Sequence, residues 1–292
     1  MKGLVLKGIG GFYTVMDERG ATYVLRAQNK IRRQNLSPTV GDYVEFTPGQ
    51  GEEEGWLEEI LPRKNALVRP TVANVDAVCY VLASSTPAPD TLLVDRLLLT
   101  CRMNGIQAYV AINKCDLDPE TALDLEKQYE TACEGVFRVC AIQREGIEPL
   151  KKALFGKKHA FGGQSGVGKS TLINALYGLS LETGEVSERI ERGRHTTRRS
   201  ELIPVEGGMV FDTPGFSLME LPLMEPEMLP RLYPEFIPYE GQCRFSPCSH
   251  TAEPNCAVKR AIAENGIMHE QRYDRYLRIF EEVTNAWRDR YD

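Results

Sequence analysis

No run of apolar residues in this 292-residue chain approaches the roughly eighteen that a membrane-spanning helix needs. The opening Met1-Lys2-Gly3-Leu4-Val5-Leu6-Lys7 holds too short an apolar run for a signal peptide. Internal repeats and low-complexity tracts are also missing, which excludes a solenoid or an array. Nor is there an excess of positive charge: the formal net charge is −6, so the chain is not basic throughout as a general nucleic-acid coat would be. The expectation is a soluble, cytoplasmic globular protein, long enough for two or three domains.

Charge is unevenly spread. Arg19, Arg26, Lys30, Arg32 and Arg33 fall before Gly41 with no acid among them, and five glutamates follow between Glu52 and Glu59. This pattern reads either as a basic contact face beside an acidic loop or as ordinary charged surface. Arg26, Lys30, Arg32 and Arg33 are the candidate RNA contacts. Of eight cysteines, Cys79, Cys101, Cys115, Cys133 and Cys140 lie in or beside apolar segments and read as inert thiols. The other three cluster with a histidine. Cys243-x4-Cys248-x-His250-x5-Cys256 offers the four N/S ligands of a closed, structural Zn²⁺ site. Small segments of this kind often need their metal to fold.

Residues 1–66 carry short apolar runs at 4–6, 12–15, 22–25, 43–46 and 56–61, separated by glycine-rich turns. They predict a small β-barrel, an OB-fold first and an SH3-like barrel as the alternative. From 67 to 220 strand and helix patterns alternate, which predicts an α/β domain. Strands are expected at 75–82, 106–112, 136–141, up to 161, 200–205 and 209–211, with helices at 91–103, about 119–133 and 169–177. Prolines 222, 226, 230, 234 and 238 then forbid a long helix and predict turns and a stiff linker. The third unit, 221–292, holds the Cys3His cluster and a helix at about 268–289, whose stripe Tyr276, Phe280, Val283 and Trp287 reads as core.

The chemistry lies in three motifs and in their order. Gly163-Gln164-Ser165-Gly166-Val167-Gly168-Lys169-Ser170 is a complete phosphate loop, followed by Thr171. Its glycines let backbone N–H groups point inward around phosphates at the positive end of the next helix. Lys169 is expected at the β- and γ-phosphates and the Ser170 hydroxyl on Mg²⁺. Asp212-Thr213-Pro214-Gly215 is a D-x-x-G element, with Asp212 near the same ion and the Gly215 N–H at the γ-phosphate. Asn113-Lys114-Cys115-Asp116 is an N-K-x-D base reader. The Asp116 carboxylate can accept from guanine N1–H and the 2-amino group, which adenine does not offer, so the expected nucleotide is GTP. Asn113 is expected to support the ring edge and the Lys114 stem to cover a base face. Cys140-Ala141 stands where GTPases place a Ser-Ala pair whose backbone meets the guanine oxygen. The base reader precedes the phosphate loop by roughly fifty residues, the reverse of the usual order. Read cyclically the series is normal, the signature of a circularly permuted GTPase.

Between phosphate loop and Asp212 runs Gly193-Arg194-His195-Thr196-Thr197-Arg198. A switch threonine for Mg²⁺ and the γ-phosphate belongs here; Thr197 is chosen, with Thr196 second. Phe216 follows D-x-x-G, where Ras-like enzymes have a glutamine that orients water. His195 is the candidate to orient it instead, unless Arg194 or Arg198 supplies charge to the transition state. The chain runs from this switch through the prolines into the Cys3His unit, so the nucleotide state is expected to shift that unit.

With these residues placed, the chain closely resembles the RsgA family, also called YjeQ or YloQ. The resemblance spans Val40-Gly41-Asp42, Arg63-Lys64-Asn65-x-Leu67-x-Arg69-Pro70, the three nucleotide motifs, Tyr233-Pro234-Glu235-Phe236 and the Cys3His cluster. It departs at Cys140-Ala141-Ile142, where relatives tend to have serines. The resemblance implies an N-terminal OB-fold, a circularly permuted P-loop GTPase domain and a C-terminal zinc-binding domain. It also implies binding to the small (30S) ribosomal subunit and its 16S rRNA late in maturation, with GTP hydrolysis stimulated by the subunit. A monomer is expected. The alternatives are a non-catalytic GTP-dependent RNA-binding switch or a translational regulator.

Overall fold

The structure is a computed structural model that describes residues 1–28, 31, 37–49, 54–68, 70–181, 200–212 and 221–291. The first unit is built from β1 (Lys2–Ile9), β2 (Phe12–Asp17), β3 (Thr22–Ala27), β4 (Tyr43–Thr47) and β5 (Gly55–Ile60). Their order is β1-β2-β3-β5-β4, β3 and β5 run parallel, and β4 closes back on β1. This is the closed five-stranded barrel of an OB-fold. Alternate residues point inward, so Val5, Val15, Leu25, Val44, Phe46 and Leu57 fill it.

A joint follows. The two-residue strands β6 (Ala66–Leu67) and β7 (Val72–Ala73) pair with each other. The Arg63 guanidinium grips the fully buried Asp42 carboxylate with two bonds of 2.7 and 2.8 Å. Asn65 exchanges two 2.9 Å bonds with the Val75 backbone, and Asn74 Nδ2 donates to the Gly41 carbonyl. Gly41 has a φ of +93°, and a Cβ there would lie 2.1 Å from the Ala73 oxygen; only glycine fits. These bonds hold the barrel against the second unit.

That unit has β8 (Ala77–Ala83), α1 (Thr91–Met103), β9 (Gln107–Asn113), α2 (Pro119–Tyr129), β10 (Gly135–Arg138), α3 (Ile147–Leu154), β11 (Lys158–Gly162), α4 (Lys169–Tyr177), β12 (Glu201–Val205) and β13 (Gly208–Asp212). The sheet order is β10-β9-β8-β11-β13-β12, all parallel except β12. Val78, Tyr80 and Leu82 face α1 and α2, while Cys79 and Val81 face α3 and α4, so both faces of β8 are covered. The chain is cut between the D-x-x-G strand and β8, yet every strand keeps its neighbours. The strand expected at 136–141 stops at Arg138, because Cys140 turns back to bridge Glu145. Helix α3 was not foreseen.

The sheet does not end at β12. A register shift in β1 between Val5 and Lys7 bends that strand, and Lys7 then stands opposite Glu201. Barrel and α/β sheet therefore form one ladder of eleven strands.

The third unit corrects the linker expectation. The proline-rich stretch folds into 3-10 turns over Pro226–Leu232 and Ile237–Tyr239, and Leu229, Tyr233 and Phe236 are buried core residues. They pack on α5 (Ala257–Asn265), also unforeseen, and α6 (Glu270–Arg288) through Val258, Tyr276, Ile279 and Val283. Leu99 of α1 enters the same core. Beside it, Arg272 of α6 bonds Asp95 of α1 at 3.1 Å and also Glu235, all three nearly inaccessible. Arg275 reaches Asp95, and its guanidinium donates to Gln128 Oε1 at 3.0 Å and to the Tyr129 hydroxyl at 3.3 Å on α2. The unit is docked on α1 and α2, not suspended from a tether. No helix among the described residues is long and apolar enough to cross a membrane.

Candidate nucleotide and metal sites

Three strands deliver the motifs to one edge of the sheet. β9 ends in Asn113, β11 leads into Gly163, and β13 ends in Asp212. The carboxyl ends of parallel strands are where such sheets bind ligands. Gly163, Gly166 and Gly168 take φ values of +139°, +81° and +92°, open only to glycine without strain. Gly168 caps α4 without a side chain, so the first amides of that helix carry no side-chain partner there. Lys169 Nζ donates to the Gly163 and Gln164 carbonyls at 2.8 and 2.6 Å, curled into its own loop, and burial lowers its pKa.

Asn113 has a bracing role that the motif alone did not reveal. It is buried; its Nδ2 donates to the Val167 carbonyl at 2.9 Å, and its Oδ1 accepts from the Ala141 N–H at 3.0 Å. The phosphate loop, the base-reader loop and the Cys140-Ala141 turn are thus bonded through one amide. A Cβ on Gly168 would come within 2.4 Å of Asn113 Nδ2, so the close approach requires glycine. Lys114, at a φ of +61°, donates to the Gly166 carbonyl at 2.8 Å and also to Thr86. Asp116 is exposed at the mouth. The Cys140 thiol is raised first by burial and then by the neighbouring Asp116 carboxylate. Burial likewise pushes Cys101 up to about 12 and Cys133 up to about 11, as inert thiols require.

Asp212 stands directly across the ladder from Glu201, which Lys7 holds at 2.5 Å. Burial and then Glu201 raise the Asp212 carboxyl, while Lys7 lowers it. His195, Thr196, Thr197, Arg194, Arg198, Gly215 and Phe216 lie outside the described residues, as do Lys30, Arg32 and Arg33. Arg26 is engaged: its guanidinium pairs with Glu54 at 2.8 Å and sits 4.4 Å over the Phe12 ring.

The second site is the Cys3His cluster, whose four ligand atoms lie within 4.8 Å of one another. A tetrahedral zinc with bonds of about 2.3 Å to sulfur and about 2.0 Å to nitrogen has edges of about 3.8 Å between sulfurs and about 3.5 Å between sulfur and nitrogen. Cys243 Sγ to Cys256 Sγ is 3.8 Å, and His250 Nδ1 lies 3.6 Å from Cys243 Sγ and 3.3 Å from Cys256 Sγ. The donor set fits the ion. Backbone N–H groups of Ala257 and Lys259 donate to Cys243 and Cys256, as outer partners of thiolates do.

The RsgA N-terminal domain profile matches residues 2–57 and the RsgA GTPase profile residues 60–222. The small ribosomal subunit biogenesis GTPase RsgA of Ruminiclostridium cellulolyticum is 42% identical over 97% of this chain and 94% of its own. That of Caldanaerobacter subterraneus is 43% identical, covering 100% of this chain and 98% of its own. Among solved structures, YjeQ from Thermotoga maritima superposes with a TM-score of 0.82 at 37% identity, over 97% and 98% of the two chains. YloQ, a circularly permuted GTPase, gives 0.78 at 33% identity, over 97% of this chain and 95% of its own.

Proposed function

Since the chain belongs to the RsgA GTPase family, we propose that its converging loops bind GTP with Mg²⁺ and hydrolyse it on the small ribosomal subunit during late maturation. The observation that carries this reading is the single amide of Asn113, which bonds the phosphate loop to the base-reading side of the site. Binding then requires Lys169 to leave the Gly163 and Gln164 carbonyls for the β- and γ-phosphates. The phosphate oxygens would meet the backbone amides of 164–171 at the head of α4, whose cap residue offers them no side-chain acceptor. Asp116 reads the guanine edge, and the turn at Cys140 and Ala141 closes behind the base. Ser170, Asp212 and Thr197 would hold Mg²⁺, which would neutralise the negative charge of the phosphates during transfer. His195 would orient the attacking water and Gly215 would meet the γ-phosphate; both assignments rest on position in the motif series.

Zinc would be held by Cys243, Cys248, His250 and Cys256 as a structural ion, with its ligand shell filled by the protein. The functional units are then 1–66, 67–220 and 221–292. The barrel is the expected face toward 16S rRNA, with Lys30, Arg32 and Arg33 as contacts; Arg26 would first have to exchange Glu54 for phosphate. A cytoplasmic, monomeric protein goes with this role. Turnover of GTP measured with and without purified 30S subunits tests it. Stimulation by the subunit is the expected result, and a rate that the subunit leaves unchanged sinks the proposal.

A further inference from the structure

Across the seam between barrel and sheet, three charged residues stand in one row. Lys7 of β1 faces Glu201 of β12, and Glu201 faces Asp212 of β13. Directly opposed residues of an antiparallel ladder project to the same side, and like charges placed so repel each other. Two carboxylates side by side are therefore an unfavourable arrangement that needs a compensating cation. Lys7 supplies it through the 2.5 Å bond to Glu201, from a different folding unit and 194 positions away in sequence.

We propose that Lys7 is a positioning residue of the nucleotide site: by neutralising Glu201 it leaves Asp212 as the only uncompensated carboxylate of this row, and so raises the affinity for GTP relative to GDP. The inference rests on the placement of Asp212 beside Mg²⁺ and the γ-phosphate. GTP brings more negative charge to that end of the site than GDP does. An unneutralised Glu201 would repel the extra charge. Across the screened dielectric of a protein surface, one unit of charge near the phosphates is worth about threefold to tenfold in affinity.

The test is the ratio of dissociation constants for GDP and a non-hydrolysable GTP analogue at fixed Mg²⁺. It is measured on the full chain for wild type, Lys7→Met, Lys7→Arg, Glu201→Gln and Lys7→Met/Glu201→Gln, with Asp212→Asn beside them. Lys7→Met is expected to lower the preference for the analogue about threefold to tenfold, less at high salt. Lys7→Arg should keep it, and Glu201→Gln in the Lys7→Met chain should restore it. A seam that matters only for packing gives the opposite pattern, with the double variant as impaired as the single; that result overturns the proposal. If Asp212→Asn alters the preference while Lys7→Met does not, the relay alone fails. If Asp212→Asn leaves it unaltered, the placement of Asp212 fails and the relay with it.

Discussion

Replacing Arg272 by leucine should loosen the Cys3His unit from the GTPase unit, and the cost can be worked from its partners. The guanidinium is about as buried as a side chain can be, at 3% exposure, between Asp95 and Glu235 at 1% each. After Arg272→Leu, Asp95 keeps Arg275. Among the described residues Glu235 keeps only the Thr131 hydroxyl, at 3.2 Å on one oxygen, and its other oxygen has no partner even now. The guanidinium also lies 5.1 Å over the Tyr233 ring, an attraction lost as well. Stranding a buried charge in this way costs about 3–5 kcal/mol. With a urea slope of about 2 kcal/mol/M, the transition that reports α6 should fall by about 2 M. Amide exchange along Glu270–Arg288 under urea reads that transition locally. The companion variant Arg272→Met/Glu235→Leu removes the charge and its stranded partner together and should recover most of the loss. A single variant within about 1 kcal/mol of wild type, or a double variant as weak as the single, would refute the account.

Asp116→Asn should lose most GTP affinity and gain xanthosine triphosphate, whose 2-oxo group accepts from the new amide; unchanged GTP affinity in a filter-binding assay would remove Asp116 as the reader. Metal chelation, or Cys248→Ala, should expose the amides of 243–260 to exchange and weaken 30S binding while GTP affinity holds, and purified protein without stoichiometric zinc would contradict it. His159, 1% exposed between the Lys157 carbonyl and the Tyr177 hydroxyl, is lowered to about 4 by burial. Its unfolded pKa is near 6.5, so the unfolded chain takes up the proton first, and stability falls as pH drops from about 6.5 to 4. The loss is about 3 kcal/mol, and His159→Gln should flatten this part of the stability–pH curve.

What could be read from sequence was what local pattern encodes. The helices Thr91–Met103 and Lys169–Tyr177 were legible because apolar spacing and flanking turn residues agreed. Helix α3 begins on Gly146 with no side-chain cap, and α5 begins on Cys256, so the usual start signals were absent or disguised. In α5 the capping acceptor is the Cys256 sulfur, a residue already read as a metal ligand. The prolines did forbid a helix, but that says nothing about burial, and Leu229, Tyr233 and Phe236 went inside. The Arg272–Asp95 dock joins positions 177 apart, beyond any local pattern. One trace of it was present: Arg272 stands four residues before Tyr276 on the same buried stripe, and Asp95 lies among Val94, Leu97 and Leu98. A charge on an apolar face asks for a buried partner.

The two attachments of the GTPase unit have a joint consequence. The barrel is fixed to the β12 edge by the pairing of β1 with β12 and braced by the Asn65–Val75 and Asn74–Gly41 bonds, and the Cys3His unit is fixed on α1 and α2 toward the other edge. The span between the two outer units is therefore set by the fold, as the jaws of a calliper are. A large partner that touches one jaw meets the other at high effective concentration, without the entropy cost of a flexible linker. Two weak contacts then hold like one strong one, but only on a surface whose features match that span. A partner whose surface rearranges by a few ångströms loses the second contact and, with it, the avidity.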